Sequence, residues 1–356
     1  MLKSIDLINF RSYKKIDLRF DDKTIIIYGP NAIGKTNLLE SIFVASVGKP
    51  FHSKDVDLIR HGEEFFRIES IFSNIKVELS LQKKENLAKK NLKLAGAIKP
   101  LINLIGLNPV TLFEPNDMNL LHGPPHDRRR YLDIVLSQAD PLYSLGLANY
   151  RHILRQRNKL LGLIKNSTNS QKLDDQLFIW DMQLVEPAAQ IIGKRAKLID
   201  KLNIIIGKYY QDIAGERAKI NIEYLPSLQA KKEETLKTIN QNTKKDKRAG
   251  FTTIGPHRDD FAISFNGYDV SRAASRGEIR TIVLALKMAE MDLIESYSGG
   301  KRPILLLDDV FSELDKTRRN YLLNTLKLQQ TFITTTEDNN KIKQAQLIDL
   351  TKIKKN

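Results

Sequence analysis

Residues 29–36 read GPNAIGKT, and the five residues directly before them, 24–28, read TIIIY. The octapeptide matches the phosphate-binding P-loop pattern G-x-x-x-x-G-K-[ST]. TIIIY is apolar, continuous and β-branched, so it predicts a buried strand, and a helix is expected to begin near Lys35. A glycine-rich turn between a strand and a helix is the setting in which this pattern holds phosphates. The sequence therefore predicts an α/β nucleotide-binding fold.

The residues of this loop have separate expected roles. Gly29 and Gly34 let backbone N–H groups wrap the phosphates. Lys35 is expected to reach the β- and γ-phosphate oxygens, and Thr36 to ligate Mg²⁺. The positive end of the helix that follows adds to the attraction. We expect the nucleotide to be contacted by Gly29, Pro30, Asn31, Ala32, Ile33, Gly34, Lys35, Thr36 and Asn37.

A second motif, ILLLDD at residues 304–309, complements the loop. Its four apolar residues predict a buried strand ending at Asp308, and ligands of open α/β sheets bind at the carboxyl ends of strands. Asp308 is expected to hold Mg²⁺ through water, and Asp309 to orient or deprotonate the attacking water. The expected catalytic residues are therefore Lys35, Asp308 and Asp309, and the expected magnesium ligands are Thr36 and Asp308. The two motifs together predict binding of ATP or GTP.

Residues 275–278, Ser-Arg-Gly-Glu, open a predicted helix shortly before this strand and resemble the signature motif of ABC ATPases. The Ser275 hydroxyl and the Gly277 N–H at a helix N-terminus can bind a γ-phosphate. In the ABC class the signature engages the nucleotide of a partner subunit, so the resemblance implies a homodimer bridged by ATP. SELD at residues 312–315 also resembles the ABC D-loop. Taken alone, Ser275 with Glu278 is an ordinary capping box, which remains the alternative.

The composition narrows the function classes. Lys and Arg number 57 against 42 Asp and Glu, a formal charge of +15, which indicates a polyanionic partner such as nucleic acid or an anionic membrane. The chain has no Cys, so disulfides, thiolate nucleophiles and Cys-ligated zinc are excluded, and the six His do not fall at metal-ligand spacings. No apolar run is long enough to span a bilayer. We expect a soluble, cytoplasmic protein without a membrane partner.

The hydrophobic pattern changes along the chain. Up to about residue 115 short apolar runs predict strands, with the lysine-rich stretch 82–91 as a hairpin tip. Between Asp127 and Tyr210 the period is helical, interrupted by a polar loop at 165–171 and by Pro187, where a new helix or a kink is expected. The fold class is therefore α/β, an ABC-type P-loop ATPase head with a mixed sheet and helices plus a mostly helical second lobe. The predicted segments are 1–118 for the N-terminal part of the head, 119–250 for the helical lobe, and 251–356 for the signature and the C-terminal part of the head.

Several longer stretches resemble one family, the bacterial RecF recombination-repair ATPases, and the resemblance runs nearly from end to end. It implies a compact head with a second lobe, ATP-dependent dimerisation, and binding of double-stranded DNA with a preference for gap junctions. It also implies RecO- and RecR-like mediators as partners in loading a recombinase. The stretches are INFRSY (8–13), TNLLESI (36–42), FEPNDMNLLHGPPHDRRRYLD (113–133), YRHILRQRNKLL (150–161), WDMQLVEPAAQIIGKR (180–195), GPHRDD (255–260) and ASRGEIRTIVLALKMAE (274–290).

The chain departs from the family and class patterns at a few places. Members of the family usually carry Gly where this loop has Ala32, which bears on the flexibility of the loop. ABC enzymes usually use a Gln to sense Mg²⁺ and a His after the last strand. Neither is clear here, and Thr335 and Thr336 occupy the second region. The resemblance also suggests adenine or ribose contacts for Arg11 and Tyr13 through stacking and hydrogen bonds, with a plain turn as the alternative.

Two basic stretches leave a choice between DNA and ordinary surface chemistry. Arg128, Arg129 and Arg130 stand at a predicted helix start, where cations are disfavoured unless an anion compensates, and that anion is either DNA phosphate or Asp133. The lysines of 231–247 bind DNA phosphates or are simply solvated. GPHRDD imitates a kinase catalytic loop, but the Asn and D-F-G that would follow are missing, so it is expected to be a charged turn without a catalytic role.

Two other function classes share some of these motifs. The nucleotide-binding subunit of a membrane transporter has the P-loop, signature and acidic strand, but such subunits normally carry a shorter insertion between P-loop and signature. A chromosome tether has long coiled coils, whereas the arm here lacks sustained heptads. The favoured hypothesis is an ATP-switched DNA-binding repair protein with weak, DNA-stimulated ATPase activity.

Overall fold

The computed structural model describes residues 1–84, 87–166, 171–325, 328–336 and 345–353, with the side chains of Lys84, Ser312 and Glu313 outside the description. The chain forms two compact units. Unit 1 comprises Met1–Asp117 and Glu290–Asn356, and unit 2 comprises Met118–Ala289. Unit 1 therefore unites the two ends of the chain.

In the described part of unit 1, six strands form an antiparallel sheet in the order β2-β1-β4-β5-β6-β7. Side chains alternate between a buried and a more exposed face, as in β4, which is why one face can pack on the core. In that core Phe10 meets Phe66 edge to face at 5.5 Å between ring centroids. The strands are β1 (Leu2–Phe10), β2 (Tyr13–Arg19), β4 (Phe65–Phe72), β5 (Ile75–Lys84), β6 (Leu87–Leu94) and β7 (Ala97–Lys99).

A second sheet of unit 1 is parallel, with five strands of the described residues in the order β14-β3-β13-β12-β8. Three of its strands, β8, β12 and β13, are buried at every position, which is the pattern of a parallel sheet covered on both faces. The register pairs Asp308 with Thr334. The strands are β3 (Thr24–Tyr28), β8 (Val110–Phe113), β12 (Ile304–Asp308), β13 (Thr331–Thr335) and β14 (Gln346–Asp349), and the helices of unit 1 are α1 (Lys35–Val47), α9 (Val310–Glu313), α10 (Lys316–Thr325) and α11 (Leu350–Ile353).

Unit 2 is mostly helical. Leu161 and Leu177 are buried in a cluster where α4 and α5 pack together. A small antiparallel sheet completes the unit, in the order β11-β10-β9. The strands are β9 (Ile220–Leu225), β10 (Asp260–Phe265) and β11 (Tyr268–Asp269), and the helices are α2 (Asn119–His122), α3 (Pro125–Ala139), α4 (Pro141–Lys165), α5 (Gln171–Ala214), α6 (Lys232–Ala249), α7 (Val270–Ala273) and α8 (Arg276–Tyr297), whose residues from Glu290 onward belong to unit 1.

The architecture confirms the predicted fold class, a mixed α/β head with a mostly helical second unit. Of the two alternatives predicted at Pro187, the new helix is wrong, because α5 runs through this residue and buries the neighbouring Leu184 and Ala188, while the kink stays a prediction. The lysine-rich stretch 82–91 is the end of a hairpin, as predicted, since β5 and β6 pair antiparallel as far as Lys84 with Leu87 and its described side chains are exposed or half-buried. Residues 85–86 of that stretch and 167–170 of the predicted polar loop lie outside the described residues.

The predicted segment boundary at 250/251 falls inside unit 2 and needs correction. Strand β10 pairs along its whole length with β9, from Asp260 with Leu225 to Phe265 with Ile220. Residues 251–289 therefore fold with the helical unit, and the chain returns to unit 1 at Glu290. The pairing of strands from both sides of the predicted boundary is the physical reason.

Candidate nucleotide-binding site

The loop between β3 and α1 has the backbone of a phosphate cradle. Gly29 and Gly34 have φ angles of +149° and +110°, which favour glycine. Ala32 also has a positive φ, 62°, a conformation that costs a residue with a Cβ roughly 1–2 kcal/mol. A glycine at this position would adopt the same conformation without that cost, so Ala32 strains the loop.

Lys35 begins α1 and folds back over the loop. Its ammonium donates to the carbonyl oxygens of Gly29 at 2.8 Å and Pro30 at 3.0 Å. Burial lowers the pKa of Lys35, and the carboxylates of Asp309 and Asp308 act in the opposite direction. The ammonium is thus held inside the loop, where a phosphate oxygen would replace the carbonyls as its partner.

Thr36 and Asp308 meet across the sheet. The Thr36 hydroxyl lies 3.0 Å and 2.9 Å from the two carboxylate oxygens of Asp308. The hydroxyl of Thr334, on the strand between β3 and β12, donates to Asp308 at 2.7 Å and accepts from the backbone N–H of Asp309 at 2.9 Å. Sequence reasoning missed Thr334, because the sequence does not show which threonine of TFITTT faces Asp308.

Three acidic residues lie at the carboxyl ends of strands of the parallel sheet. Asp309 follows β12 with a left-handed φ of 51°, a strained conformation for a residue with a side chain. Glu114 follows the neighbouring β8, is 8% exposed, and has its Oε1 2.6 Å from Nε2 of His52. Burial raises the pKa of Asp308, and the charges of Glu114 and Asp309 add to the rise. A divalent cation would find oxygen ligands and excess negative charge at this edge.

Three other residues predicted to contact the nucleotide bind neighbouring groups of the protein. The Arg11 guanidinium donates to both carboxylate oxygens of Glu40, at 2.7 Å and 2.9 Å. Tyr13 is 2% exposed and donates its hydroxyl to the Gly34 carbonyl at 2.9 Å, so its buried ring has no open face on which a base could stack. The stacking predicted for Tyr13 is therefore wrong. The amide of Asn37 donates to Ser12 at 2.9 Å.

The signature residues lie in unit 2, at the start of α8. The backbone N–H of Ser275 donates to the Glu278 carboxylate at 2.6 Å, and the Glu278 N–H donates to the Ser275 hydroxyl oxygen at 3.3 Å. This is a reciprocal capping box. Ser275 is exposed, and its hydroxyl also binds the Glu278 carboxylate, which lowers the pKa of Glu278. A phosphate oxygen at this position would replace Glu278 as the acceptor of the hydroxyl proton.

The match to a known family covers the whole chain. The model of the RecF/RecN/SMC N-terminal domain matches residues 1–356. The DNA replication and repair protein RecF of Agathobacter rectalis is 40% identical over 341 residues, covering 94% of this chain and 92% of the relative. The chain belongs to the RecF family.

Two solved structures place the fold in the same family. A structure of the recombination mediator protein RecF-ATP in the RecFOR pathway is 36% identical, with a TM-score of 0.86 over 95% of this chain and 92% of its own. A RecF-ATPrS structure of the same pathway is 34% identical, with a TM-score of 0.87 over 98% and 96%. This RecF-family chain therefore has a mixed α/β head of the ABC and SMC type.

The stretch GPHRDD (255–260) links several elements of unit 2. Asp260 binds Arg128 through two hydrogen bonds of 2.6 Å and 2.8 Å, and the Asp259 carbonyl accepts from Arg129 at 2.8 Å. Asp259 also accepts from the hydroxyl of Tyr224 at 2.5 Å. Asp260 is thus the anion that compensates Arg128, in place of the two candidates that the sequence suggested. GPHRDD is a structural turn, as expected.

Asp133, the carboxylate expected beside the arginine run of this RecF-family chain, binds elsewhere. It accepts from Tyr143 at 2.5 Å, from Arg195 at 2.8 Å and from Arg151 at 3.0 Å. These partners come from α4 and α5, which a prediction from sequence alone cannot bring to α3.

Within the described residues, no helix combines the length and apolarity that crossing a membrane requires.

Proposed function

We propose that this chain binds ATP at the loop of residues 29–36 and uses it in DNA replication and repair. The observation that carries the proposal is the meeting of Thr36 and Asp308 beside Lys35, which places a hydroxyl, a carboxylate and an ammonium at one edge of the parallel sheet. This is the arrangement that nucleotide hydrolases use for Mg²⁺ and phosphates. The RecF-ATP relative supports ATP as the nucleotide.

The residues present fit a magnesium ion. Mg²⁺ prefers oxygen ligands and usually combines one or two protein ligands with phosphate oxygens and water. Among the described residues, no three His, Cys, Asp or Glu side chains form a metal cluster, so the ion depends on the nucleotide for the rest of its ligands. Thr36 and Asp308 would hold the ion, which would neutralise phosphate charge when bound. Asp308 is kept in place for this by the Thr334 hydroxyl.

Hydrolysis is the next step of the proposal. Asp309 stands directly after β12, close enough for its charge to act on Lys35. Its carboxylate orients a water molecule or takes its proton, while Lys35 stabilises the negative charge that develops on the phosphate oxygens. The catalytic residues are thus Lys35, Asp308 and Asp309, and the expected activity is weak and stimulated by DNA.

Dimerisation follows from the signature. Each nucleotide lies between the P-loop of one subunit and the exposed Ser275 and half-buried Gly277 of a second copy, whose helix N-terminus faces the γ-phosphate. Hydrolysis then opens the dimer. The proposed nucleotide contacts are residues 29–37, Arg11, Ser275 and Gly277. Because the guanidinium of Arg11 already binds Glu40 of α1, Arg11 acts through its position next to this helix.

The macromolecular partner is double-stranded DNA with gap junctions. The charge of +15 supports a polyanionic partner, and the RecFOR pathway of the solved relatives supports RecO- and RecR-like mediators that load a recombinase on single-stranded gaps. ATP-driven dimerisation would set the residence time on DNA.

Equilibrium binding of a fluorescent ATP analogue with Mg²⁺ tests the proposal. Lys35→Ala should weaken binding at least tenfold, because one charge-assisted phosphate contact is removed. Lys23→Ala, which removes an exposed lysine before β3, should bind like the unmodified chain. Absence of ATP binding by the unmodified chain, or equal binding by Lys35→Ala, would overturn the proposal.

A further inference from the structure

The basic helix α6 has two faces of different chemistry. On one face the lysines are ion-paired: Lys232 with Glu186, and Lys247 with Asp174 at 2.7 Å, both acids lying on α5. Lys231, directly before the helix, pairs with Glu234 at 3.5 Å. Lys232 and Lys247 join α6 to α5, and Lys231 pairs at the N-terminal end of α6. The charges of these three lysines are therefore already paired within the protein.

The opposite face carries cations of another kind. Positions 237, 241, 244 and 248 follow one another at helical spacings, so Lys237, Gln241, Lys244 and Arg248 form one row along the helix. Lys237, Gln241, Lys244 and Arg248 are exposed, and the exposed Lys245 stands next to the row. Among the described residues, none of the row's cations has an ion-pair partner. Their charge is directed to solvent.

The row rests on a fixed base. Asp246, on the buried side of α6, accepts a hydrogen bond of 2.7 Å from Arg157, and Arg157 also binds Asp181 of α5 at 2.6 Å. Ile239 and Thr235 are buried on the same side. The helix backbone is thereby held in place, which reduces the entropy lost when its exposed face binds a partner.

The surface continues past the end of α6. Phe251 exposes its ring, and the exposed guanidinium of Arg258 stacks over it at 5.4 Å from the ring centroid. An aromatic ring with a stacked guanidinium beside a row of cations is a combination suited to phosphates and the sugar edge. At the other end, the exposed Glu233 in the first turn marks the limit of the basic surface.

We propose that Lys237, Lys244, Lys245 and Arg248 form a contact surface for the phosphate backbone of duplex DNA. From Lys237 to Arg248 the helix rises about 16 Å, which matches the axial rise of about five base pairs. Backbone contacts of this kind position a protein without reading sequence. The inference rests on the proposed function and locates the DNA surface that it requires.

The chemistry of the row favours DNA over an anionic membrane. A helix that lies on a bilayer needs an apolar face at the lipid boundary. On α6 the row itself contains the polar Gln241 and lies beside the exposed, polar Asn240, while the apolar Ile239 is buried against the protein. The row therefore offers charge and amide groups, and the exposed Phe251 beyond the end of α6 carries the guanidinium of Arg258 over its ring.

Two triple variants of the full chain distinguish the effect of losing the row's charges from the effect of losing any three positive charges in this region. The test variant is Lys237→Gln, Lys244→Gln and Arg248→Gln, and the control is Lys231→Gln, Lys232→Gln and Lys247→Gln. Both remove three positive charges from the same region. Fluorescence anisotropy with a labelled duplex of about 30 base pairs measures affinity between about 50 and 200 mM salt. Thermal unfolding and ATP binding show whether each variant folds.

The test variant should bind duplex DNA at least tenfold more weakly, with a salt slope shallower by roughly two to three, and should keep its ATP affinity. The control should bind within threefold of the unmodified chain. Equal losses in both variants, or no loss in the test variant, would overturn the inference. Loss of binding to phosphatidylserine vesicles with DNA binding unchanged would assign the surface to membranes. Absence of DNA binding by the unmodified chain would instead refute the proposed function.

A conservative variant strengthens the test. Lys237→Arg with Lys244→Arg keeps both charges and should retain DNA affinity within threefold, because phosphate attraction depends mainly on charge. Loss of affinity in this variant would contradict a contact made through charge alone.

Discussion

The hydroxyl of Thr36 lies 2.9 Å and 3.0 Å from the carboxylate oxygens of Asp308, although the two residues are 272 positions apart in the chain. The contact exists because β13 pairs with β3 on one side and with β12 on the other. The candidate site is therefore completed only when the two ends of the chain fold into one unit.

Thr334 should be needed for this arrangement. Thr334→Val removes the hydroxyl that binds Asp308 and leaves the Asp309 N–H without its acceptor, so the free energy of unfolding should fall by about 1–3 kcal/mol. ATP turnover should fall with it. Urea unfolding and turnover assays measure both effects.

Thr331→Val is the matched control on the same strand. Within the described residues, the buried Thr331 hydroxyl has no hydrogen-bond partner, so a valine of the same shape should leave stability unchanged or raise it. If Thr334→Val proved as harmless as Thr331→Val, the positioning role of Thr334 would be wrong.

Arg157 should be among the most important residues for the stability of unit 2. It is fully buried and joins Asp181, Asp246 and the hydroxyl of Thr252. Arg157→Met leaves two buried carboxylates without their cation, and such a loss costs about 3–5 kcal/mol. Denaturant unfolding of this variant should be compared with Arg155→Met, an exposed position of the same helix, where the change should stay within about 0.5 kcal/mol. Similar losses at both positions would contradict the account.

His257 should make the stability of the protein depend on pH. Its Nε2–H donates to the Thr252 carbonyl at 3.1 Å, so Nδ1 accepts from the hydroxyl of Tyr150 at 2.7 Å, and burial lowers the pKa of His257. The unfolded chain takes up a proton near pH 6.5 while the folded one resists it. The stabilisation is therefore complete above about pH 6.5 and is lost as the pH falls through the lowered pKa of the folded state.

Thermal unfolding between about pH 5 and 8 measures this dependence. His257→Gln keeps a hydrogen-bonding side chain that does not titrate, so its melting temperature should decline less below pH 6.5 than that of the unmodified chain. Parallel declines in the two proteins would show that His257 is not the group responsible.

Local sequence patterns predicted the elements that carry the site. TIIIY before the glycine-rich loop and ILLLDD became β3 and β12 because continuous apolar runs can only be strands or helices buried in a core. The helix after Ser275 followed from its apolar periodicity and its capping box. Each of these signals lies within a few neighbouring residues.

The remaining features depend on contacts between distant residues. Thr334 faces Asp308 through strand register, and Glu114 reaches the same edge because β8 pairs with β12. Arg128 binds Asp260, 132 positions away. Periodicity contains no information about such pairings, and the boundary at 250/251 was misplaced for the same reason, since β10 pairs with a strand on the other side of it.

ATP turnover per subunit, measured over a range of protein concentrations with and without duplex DNA, tests the central claim most directly. A site shared between two copies through Ser275 should give turnover that rises with protein concentration and rises again with DNA. Ser275→Arg should abolish the concentration dependence while ATP still binds, whereas Ile204→Arg, at an exposed position of α5, should behave like the unmodified chain. Turnover that is constant with concentration and indifferent to DNA would contradict the ATP-bridged, DNA-bound dimer.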